Sequence, residues 1–268
     1  MNQFFKSLVA ALLPILTFSG AAHAIEDAIR VSPDTIPQIG AVRIGPPDLS
    51  KQNCSGILVT PIWVLTARHC RAGRGTGVYL GNISDQNVQS SEVSEVFEHR
   101  FRGEGTALDV ALLKLDRMLV PVLPDGRPWT WYRRDIFRGY MRDLVGKRVR
   151  YYGYGPDEDR DLGDLNNDEL NRYLDRFGTL RFGSGLYWPK DGPGFLLFFE
   201  SRPVPGDSGA AVLYPDTAQG QIVGVLSQGQ PSGGVRLSDE FIKFFDGVLG
   251  PYLNETMTPA EIMSLMDN

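Results

Sequence analysis

The sequence predicts an all-β fold, and three observations lead to that prediction. The apolar runs are short and rich in strand-forming residues, turn residues are frequent, and helical periodicity is found in the C-terminal region. The chain has 30 glycines and 18 prolines among 268 residues, which suits many short strands better than a helical bundle. Strands at this spacing are typical of a closed barrel or a sandwich.

The first 24 residues have the features of an export signal. Lys6 gives a short basic start, an apolar run extends from Leu8 to Phe18, and residues 22–24 (Ala-His-Ala) offer the small residues of a cleavage site. We therefore expect the mature chain to begin at Ile25 and to be secreted or periplasmic. The apolar run is about half of the roughly 20 residues that span a bilayer, so we expect no retained membrane anchor.

Charge and cysteine content narrow the function classes. The chain has 27 Lys and Arg against 32 Asp and Glu, a formal net charge of −5, and no basic cluster that could follow a phosphate backbone. We therefore expect no nucleic-acid partner. Export would bring Cys54 and Cys70 into a compartment where a disulfide persists, so one bridge is predicted.

The strand-like runs fall into two groups, one in each half of the chain. They are residues 40–44, 56–59, 63–65, 77–80 and 110–113, and then residues 149–154, 195–199, 210–213 and 222–226. The segment between the groups, with Trp129 and Arg134, has no predicted structure and is interpreted as a link between halves. The acidic segment 157–169 lacks the glycine and the glutamate of a calcium-binding EF-hand loop, and we expect a solvated loop there rather than a metal site.

Helical periodicity begins after the last run. Apolar residues three and four apart predict a helix over residues 239–245 that ends before Gly250 and Pro251. Thr258, followed by Pro259 and by Glu261, predicts the start of a second short helix.

The segment Gly206-Asp207-Ser208-Gly209, directly before a strand-like run, points to chemistry. A serine hydroxyl is a weak nucleophile unless an imidazole takes its proton, and the imidazole needs a carboxylate that fixes its tautomer. The mature chain has two histidines. His69 is followed by Cys70, so that a bridge would fix its loop, whereas His99 lies between charged residues and is expected to be solvated.

The carboxylate candidate is Asp109, which stands at the head of the apolar run that contains residues 110–113. A charge at such a place needs a partner, because burying it alone is costly. His69, Asp109 and Ser208 are therefore the candidate catalytic residues.

These three segments together resemble the trypsin-like (chymotrypsin-fold) serine peptidases. The resemblance rests on Thr66-Ala67-Arg68-His69-Cys70, on the acid before an aliphatic strand, on the glycine-flanked serine, and on their order along the chain. It extends from Ile25 to about Phe245 and is weakest over residues 121–151 and the acidic loop. It implies two six-stranded antiparallel β-barrels, over about residues 25–120 and 121–236, followed by a helical segment 237–268.

The resemblance also implies a role for each site residue. Ser208 would attack the carbonyl carbon, His69 would act as base and then as acid, and Asp109 would orient the imidazole. The backbone N–H groups of Gly206 and Ser208 would form the oxyanion hole. No metal or organic cofactor is expected for this route of acyl transfer.

Five further residues acquire roles from the same resemblance. Ser227 would support Asp109, and the strand from Ser227 to Gly229 would pair with the substrate backbone. The α-amino group of Ile25 would form an ion pair with Asp207. Arg202, six residues before the nucleophile, would lie at the base of the specificity pocket and disfavour Lys or Arg side chains, or would point into solvent.

The resulting prediction is an exported, monomeric serine endopeptidase that acts on peptides or proteins through an acyl-enzyme intermediate. Two alternatives stay open. One is a catalytically silent binding protein on the same fold, and the other is an esterase-like serine hydrolase.

Overall fold

The computed structural model describes residues 29–46, 53–82, 85–99, 108–122, 125–128, 134–155, 178–189, 194–199, 203–204, 206–217, 219–227, 233–236 and 238–253. Strands dominate these ranges, and helices are few, so the predicted all-β fold is confirmed. The helices are α1 (Ile36–Ile39) and α2 (Asp239–Leu253). The strands are β1 (Ile29–Arg30), β2 (Ala41–Ile44), β3 (Cys54–Thr60), β4 (Trp63–Thr66), β5 (Gly77–Leu80), β6 (Gln89–Glu98), β7 (Ala111–Leu115), β8 (Arg148–Gly153), β9 (Arg181–Pro189), β10 (Gly194–Phe199), β11 (Ala211–Tyr214), β12 (Gln221–Ser227) and β13 (Gly233–Arg236).

Six strands form a closed antiparallel barrel in the order β2-β3-β4-β7-β6-β5. Most residues of β3, β4 and β7 are apolar, and almost all of them are buried, so these strands supply much of the barrel core. Trp63 is fully buried, and its ring lies 5.4 Å from that of Phe97. The pairing of β4 with β7 aligns Thr66 with Ala111, which brings the end of β4 beside the start of β7.

The second sheet has seven strands in the order β1-β9-β10-β13-β12-β11-β8. Since β8 also pairs with β9, six of its strands close into a ring, and β1 adds to β9. The strand β1 therefore belongs to the second sheet, although the sequence assigned residues 25–120 to the first barrel. The residue after β1 is also bonded to the second half, because the N–H of Val31 donates to the carbonyl of Leu180 at 3.0 Å.

Two long strands, β6 and β9, were absent from the sequence prediction. In β6 only Ser91 and Val93 are fully buried, and the other residues are exposed or half-buried. A strand with one solvated face has few apolar residues and gives a weak pattern. In β9 glycines alternate with larger residues, and Leu186 and Trp188 are exposed on its outer side.

The C-terminal helix α2 is longer than expected, because it continues through Gly250 and Pro251 to Leu253. Its buried face consists of Phe241, Phe245 and Leu249, four residues apart. The ring of Phe244 meets His99 of the first half at 5.6 Å. The predicted second helix near Thr258 lies outside the described residues, as does the acidic segment 157–169. No described helix is long and apolar enough to cross a membrane.

Arg134 joins the two halves of the molecule, as the interpretation of its segment suggested. Its side chain is buried and donates to the carbonyls of Gly220 and Ile39, each at 2.8 Å, and its backbone N–H donates to Val59. The guanidinium group thus donates hydrogen bonds to carbonyl groups of both halves. A buried cation is costly unless it has such partners.

Cys54 and Cys70 form the predicted disulfide. It connects the start of β3 to the short 3₁₀ turn Arg68–Cys70, and thereby limits the movement of the histidine between them.

We expect the double substitution Cys54→Ala and Cys70→Ala to lower the free energy of unfolding by about 3 kcal/mol, because a loop of this length is released in the unfolded chain. Urea unfolding of both proteins, with and without a thiol reductant, measures the difference. Reductant should destabilise the parent protein and leave the variant unchanged. An equal effect of reductant on both would contradict this assignment of the stabilisation.

Candidate active site

His69 and Asp109 are brought together by the pairing of β4 with β7. His69 lies in the turn that follows β4, and Asp109 lies two residues before β7 begins. The Nδ1 atom of His69 is 2.6 Å from Oδ2 of Asp109, and the His69 backbone N–H donates to Oδ1 at 2.8 Å. Both carboxylate oxygens therefore hold the histidine, which fixes its ring and places the proton on Nδ1.

Asp109 is kept ionised by its neighbours. The hydroxyl of Ser227, at the end of β12, donates to Oδ2. Partial burial alone would raise the pKa of Asp109, but the hydrogen bonds from the side chains of His69 and Ser227 and from the His69 backbone lower the pKa to about 2. The structure therefore joins three of the predicted site residues into one hydrogen-bonded line.

Ser208 lies in the tight turn between Gly206 and Gly209, where both glycines have positive φ values of 101° and 88°. The serine is 6% exposed. Its carbonyl oxygen accepts the N–H of Ser55 in β3 at 2.8 Å and lies 3.6 Å from Sγ of Cys70. The turn that contains Ser208 therefore contacts β3 and the disulfide of the first half.

The distal nitrogen of His69 is available to accept a proton. Nε2 is buried and has no hydrogen-bond partner among the described residues, Ser208 included. In sites without substrate the bond between the base and the nucleophile is often long, and it tightens when substrate binds.

Gly209 is required by the closeness of the two halves. A Cβ atom at this position would lie 2.2 Å from both the carbonyl oxygen of Ser55 and Oγ1 of Thr66. These distances are far below van der Waals contact, and the positive φ also disfavours a side chain.

Asp207 is fully buried, and backbone groups hold its carboxylate. The N–H of Val204 donates to Oδ2 at 3.0 Å, and the N–H of Gly155 donates to Oδ1 at 2.9 Å. Burial raises the pKa of Asp207 to about 6, although these hydrogen bonds and the charge of Arg181 act to lower the pKa. Its predicted partner, Ile25, lies outside the described residues.

Two other predicted residues, Arg202 and Gly229, also lie outside the described residues. The remaining ones are described, and the structure places them at the junction of the two halves. These are His69, Asp109, Gly206, Asp207, Ser208 and Ser227.

His99, which was expected to be solvated, is buried. It is 8% exposed, its Nδ1 atom accepts the N–H of Leu108 at 3.1 Å, and burial lowers its pKa. Glu240 opposes that shift, and Arg68 reinforces it. The charged neighbours in the sequence were misleading because α2, distant in sequence, covers the ring. His99 thus fixes the residue that precedes Asp109.

Sequence reasoning assigned no role to Ser55, and it noted Thr66 only as part of the motif around His69. The hydroxyl of Ser55 donates to the carbonyl of Gly206 at 2.7 Å, and the hydroxyl of Thr66 donates to the carbonyl of Ser55 at 2.7 Å. Ser55 directly follows Cys54, which was a signal, and Thr66 lies four residues before Cys70, but small polar residues are common in strands of every function.

The donor set does not favour a metal. Cys54, His69 and Cys70 place their ligand atoms within 4.8 Å of one another, but both sulfurs belong to the disulfide. A bonded disulfide provides no thiolate, so the imidazole is the one strong ligand of this group.

Comparison with known proteins gives one family and related peptidases. Residues 31–134 match the sequence model of the Trypsin family. The chain is 31% identical over 110 residues to an uncharacterized peptidase of Corynebacterium glutamicum (strain R), and equally to a peptidase of Corynebacterium glutamicum strain ATCC 13032. These matches cover 41% of this chain and 35% of each relative, so the chain spans about a third of the length of the curated relatives it matches.

The raised pKa of Asp207 predicts how the stability of the protein depends on pH. A folded-state pKa of about 6, above the reference value of 3.8, means that the acid stabilises the fold fully below pH 4 and that this stabilisation is lost as the pH rises through 6. Relative to Asp207→Asn, the parent chain should therefore lose about 3 kcal/mol of unfolding free energy between pH 4 and pH 7. Urea unfolding of both proteins across this range measures the difference.

The same experiment on a chain that starts at Ile25 tests the predicted ion pair. An α-ammonium group beside Asp207 would lower the pKa of the carboxyl. The pH dependence of the unfolding free energy would then be reversed, so that the parent chain gains stability as the pH rises. The pKa of Asp207 would be unperturbed if the unfolding free energies of the parent chain and Asp207→Asn differed by the same amount at every pH. This outcome, found both for the full chain and for the chain that starts at Ile25, would contradict the prediction.

Proposed function

We propose that the chain, whose residues 31–134 match the Trypsin family model, is a trypsin-like serine peptidase, namely an exported serine endopeptidase with Ser208 as its nucleophile. The family and the peptidase relatives give the reaction class. The observation that carries the finer assignment is the line from Ser227 through Asp109 to His69, which ends in a buried, unbonded Nε2 at the junction that also holds Ser208.

Each of the three side chains then has a defined role in the reaction. Oγ of Ser208 attacks the peptide carbonyl carbon and passes its proton to Nε2 of His69. Asp109 stabilises the imidazolium that forms. The C–N bond breaks as the leaving amine takes the proton from His69, which leaves an acyl-enzyme. Water gives a proton to the same nitrogen and attacks the acyl carbon. The ester C–O bond then breaks, the carboxylic acid product leaves, and His69 returns the proton to Oγ of Ser208.

The backbone around Ser208 supports an oxyanion hole. The N–H groups of Gly206 and Ser208 donate to no acceptor in the part of the chain that the structure describes. Two such donors beside a nucleophile can bind the oxygen that becomes negative in the tetrahedral state, and one donor is typically worth about 3 kcal/mol.

Export, specificity and activation belong to the same proposal. The Cys54–Cys70 disulfide suits the oxidising surroundings of a secreted or periplasmic protein, which agrees with a signal over residues 1–24. Arg202 would direct the pocket towards acidic rather than basic side chains. The α-amino group of Ile25 would pair with Asp207, and the strand from Ser227 to Gly229 would bind the substrate backbone in a monomeric enzyme that needs no cofactor.

The test is the reaction of the purified mature protein with a fluorophosphonate probe, which phosphonylates activated serines. We expect stoichiometric labelling at Ser208 in the parent chain and none in Ser208→Ala. Peptide mapping should locate the label and show whether the chain begins at Ile25. Cleavage of a peptide library, compared with simple ester substrates, distinguishes a peptidase from an esterase. A folded parent chain that starts at Ile25 and takes up no label would contradict the proposal and favour a binding protein.

Asp109→Asn should lower kcat/KM by about four orders of magnitude, because an amide no longer holds the imidazole in the useful tautomer. Arg142→Gln, on the exposed 3₁₀ turn Met141–Leu144, is the matched control and should keep the parent rate. A loss of less than tenfold in Asp109→Asn would exclude Asp109 as the residue that orients His69.

A further inference from the structure

A buried hydroxyl group of the first barrel holds the turn that carries the proposed nucleophile. Ser55 is fully buried in β3. Its Oγ atom donates to the carbonyl oxygen of Gly206 at 2.7 Å and accepts the N–H of Tyr154 at 2.9 Å. Both the donor and the acceptor capacity of this hydroxyl are therefore used across the junction of the two halves.

The backbone of Ser55 makes two more bonds at the same place. Its N–H donates to the carbonyl of Ser208 at 2.8 Å, and its carbonyl accepts the hydroxyl of Thr66 at 2.7 Å. Ser55 thus bonds to the carbonyl groups of Gly206 and Ser208, which lie on either side of Asp207. It also bonds to β4, the strand that leads to the turn with the histidine. Substitution of the side chain would leave these two backbone bonds in place.

Gly206 is the residue of this turn that most needs an external restraint. Its φ of 101° lies in a region that glycine enters freely, because glycine has no Cβ atom to limit the backbone. A hydrogen bond to its carbonyl fixes the peptide plane between Gly206 and Asp207. The N–H of Gly206 lies in the preceding peptide plane, one φ and one ψ away, so anchoring this carbonyl narrows the φ and ψ values, and hence the N–H directions, that the turn can adopt.

The second bond of the hydroxyl extends the restraint to the support of Asp207. Tyr154 precedes Gly155, whose N–H donates to the Asp207 carboxylate at 2.9 Å. Arg181 donates to the carbonyl of the same glycine at 3.0 Å. One hydroxyl therefore connects the Gly206 peptide with the segment that holds the neighbouring acid.

We propose that Ser55 is a positioning residue for the oxyanion hole, whose hydroxyl orients the Gly206 N–H towards the reacting oxygen. The proposal rests on the proposed function of Ser208. Oxyanion-hole bonds strengthen when the carbonyl oxygen becomes negative, so a misdirected donor slows the chemical step and leaves ground-state binding almost unchanged.

The test compares Ser55→Ala with Ser91→Ala. Ser91 is a matched control because it is also buried in the first barrel, and its hydroxyl oxygen lies 2.7 Å from Oδ1 of Asp116 and 2.9 Å from the carbonyl oxygen of Arg117, either of which accepts its proton. Circular dichroism first sets a temperature at which all proteins are folded. The rate constant and the final extent of fluorophosphonate labelling are then measured from pH 5 to pH 9.

We expect Ser55→Ala to label Ser208 completely but roughly tenfold to hundredfold more slowly, since removal of a whole donor costs about 10² to 10³ in rate. The pH midpoint of the rate should stay at the parent value, because His69 and Asp109 are untouched. Ser91→Ala should label at a rate within about twofold of the parent rate. Peptide substrates should show the loss in kcat rather than in KM.

Four results would overturn the proposal. A parent-like rate constant in folded Ser55→Ala excludes a positioning role, and so does an unchanged rate constant with a lower final extent of labelling, which is the sign of a structural defect alone. If Ser55→Ala does not fold, Ser55→Thr retains the hydroxyl and Ser55→Gly lacks it, and equal rate constants in these two would overturn the proposal. A parent chain that is not labelled at all overturns the proposed function, and this inference with it.

Discussion

The contact between the two halves is the constraint on which the site depends. His69 and Asp109 come from the first barrel, whereas Ser208 and Ser227 come from the second sheet. No single sheet can set the distances between them. The junction is therefore fixed by buried polar groups, such as Arg134, whose directional bonds define one relative position, where apolar packing alone would tolerate sliding.

Two aspartates at this junction show how differently burial can act. Asp109 is partly buried but receives hydrogen bonds from His69 and Ser227, and these bonds outweigh desolvation and keep its pKa near 2. Asp207 is completely buried and receives two backbone N–H bonds, and desolvation prevails so that its pKa rises to about 6. The first carboxyl is ionised in its native surroundings. The second carboxyl keeps its proton to a higher pH, because burial disfavours its charge.

The predictable part of this protein is the part that short sequence patterns encode. The apolar strands, the disulfide and the pairing of His69 with Asp109 follow from local patterns and from a resemblance that rests on a few residues. The strand β6 could not be predicted, because its solvated face removes the apolar pattern. His99 and Ser55 could not be interpreted either, since their burial is created by segments far away in the sequence.

The first strand and the C-terminal helix of the described chain each pack against the other half. The first strand, β1, pairs with β9 of the second sheet, and the last helix, α2, covers His99 of the first barrel. During synthesis, residues 29–30 therefore leave the ribosome long before β9 exists, and the first barrel receives its covering helix only after the strands of the second sheet are made. Neither half is complete without a segment from the opposite end, so the chain is expected to fold as one cooperative unit and not as two independent barrels in succession.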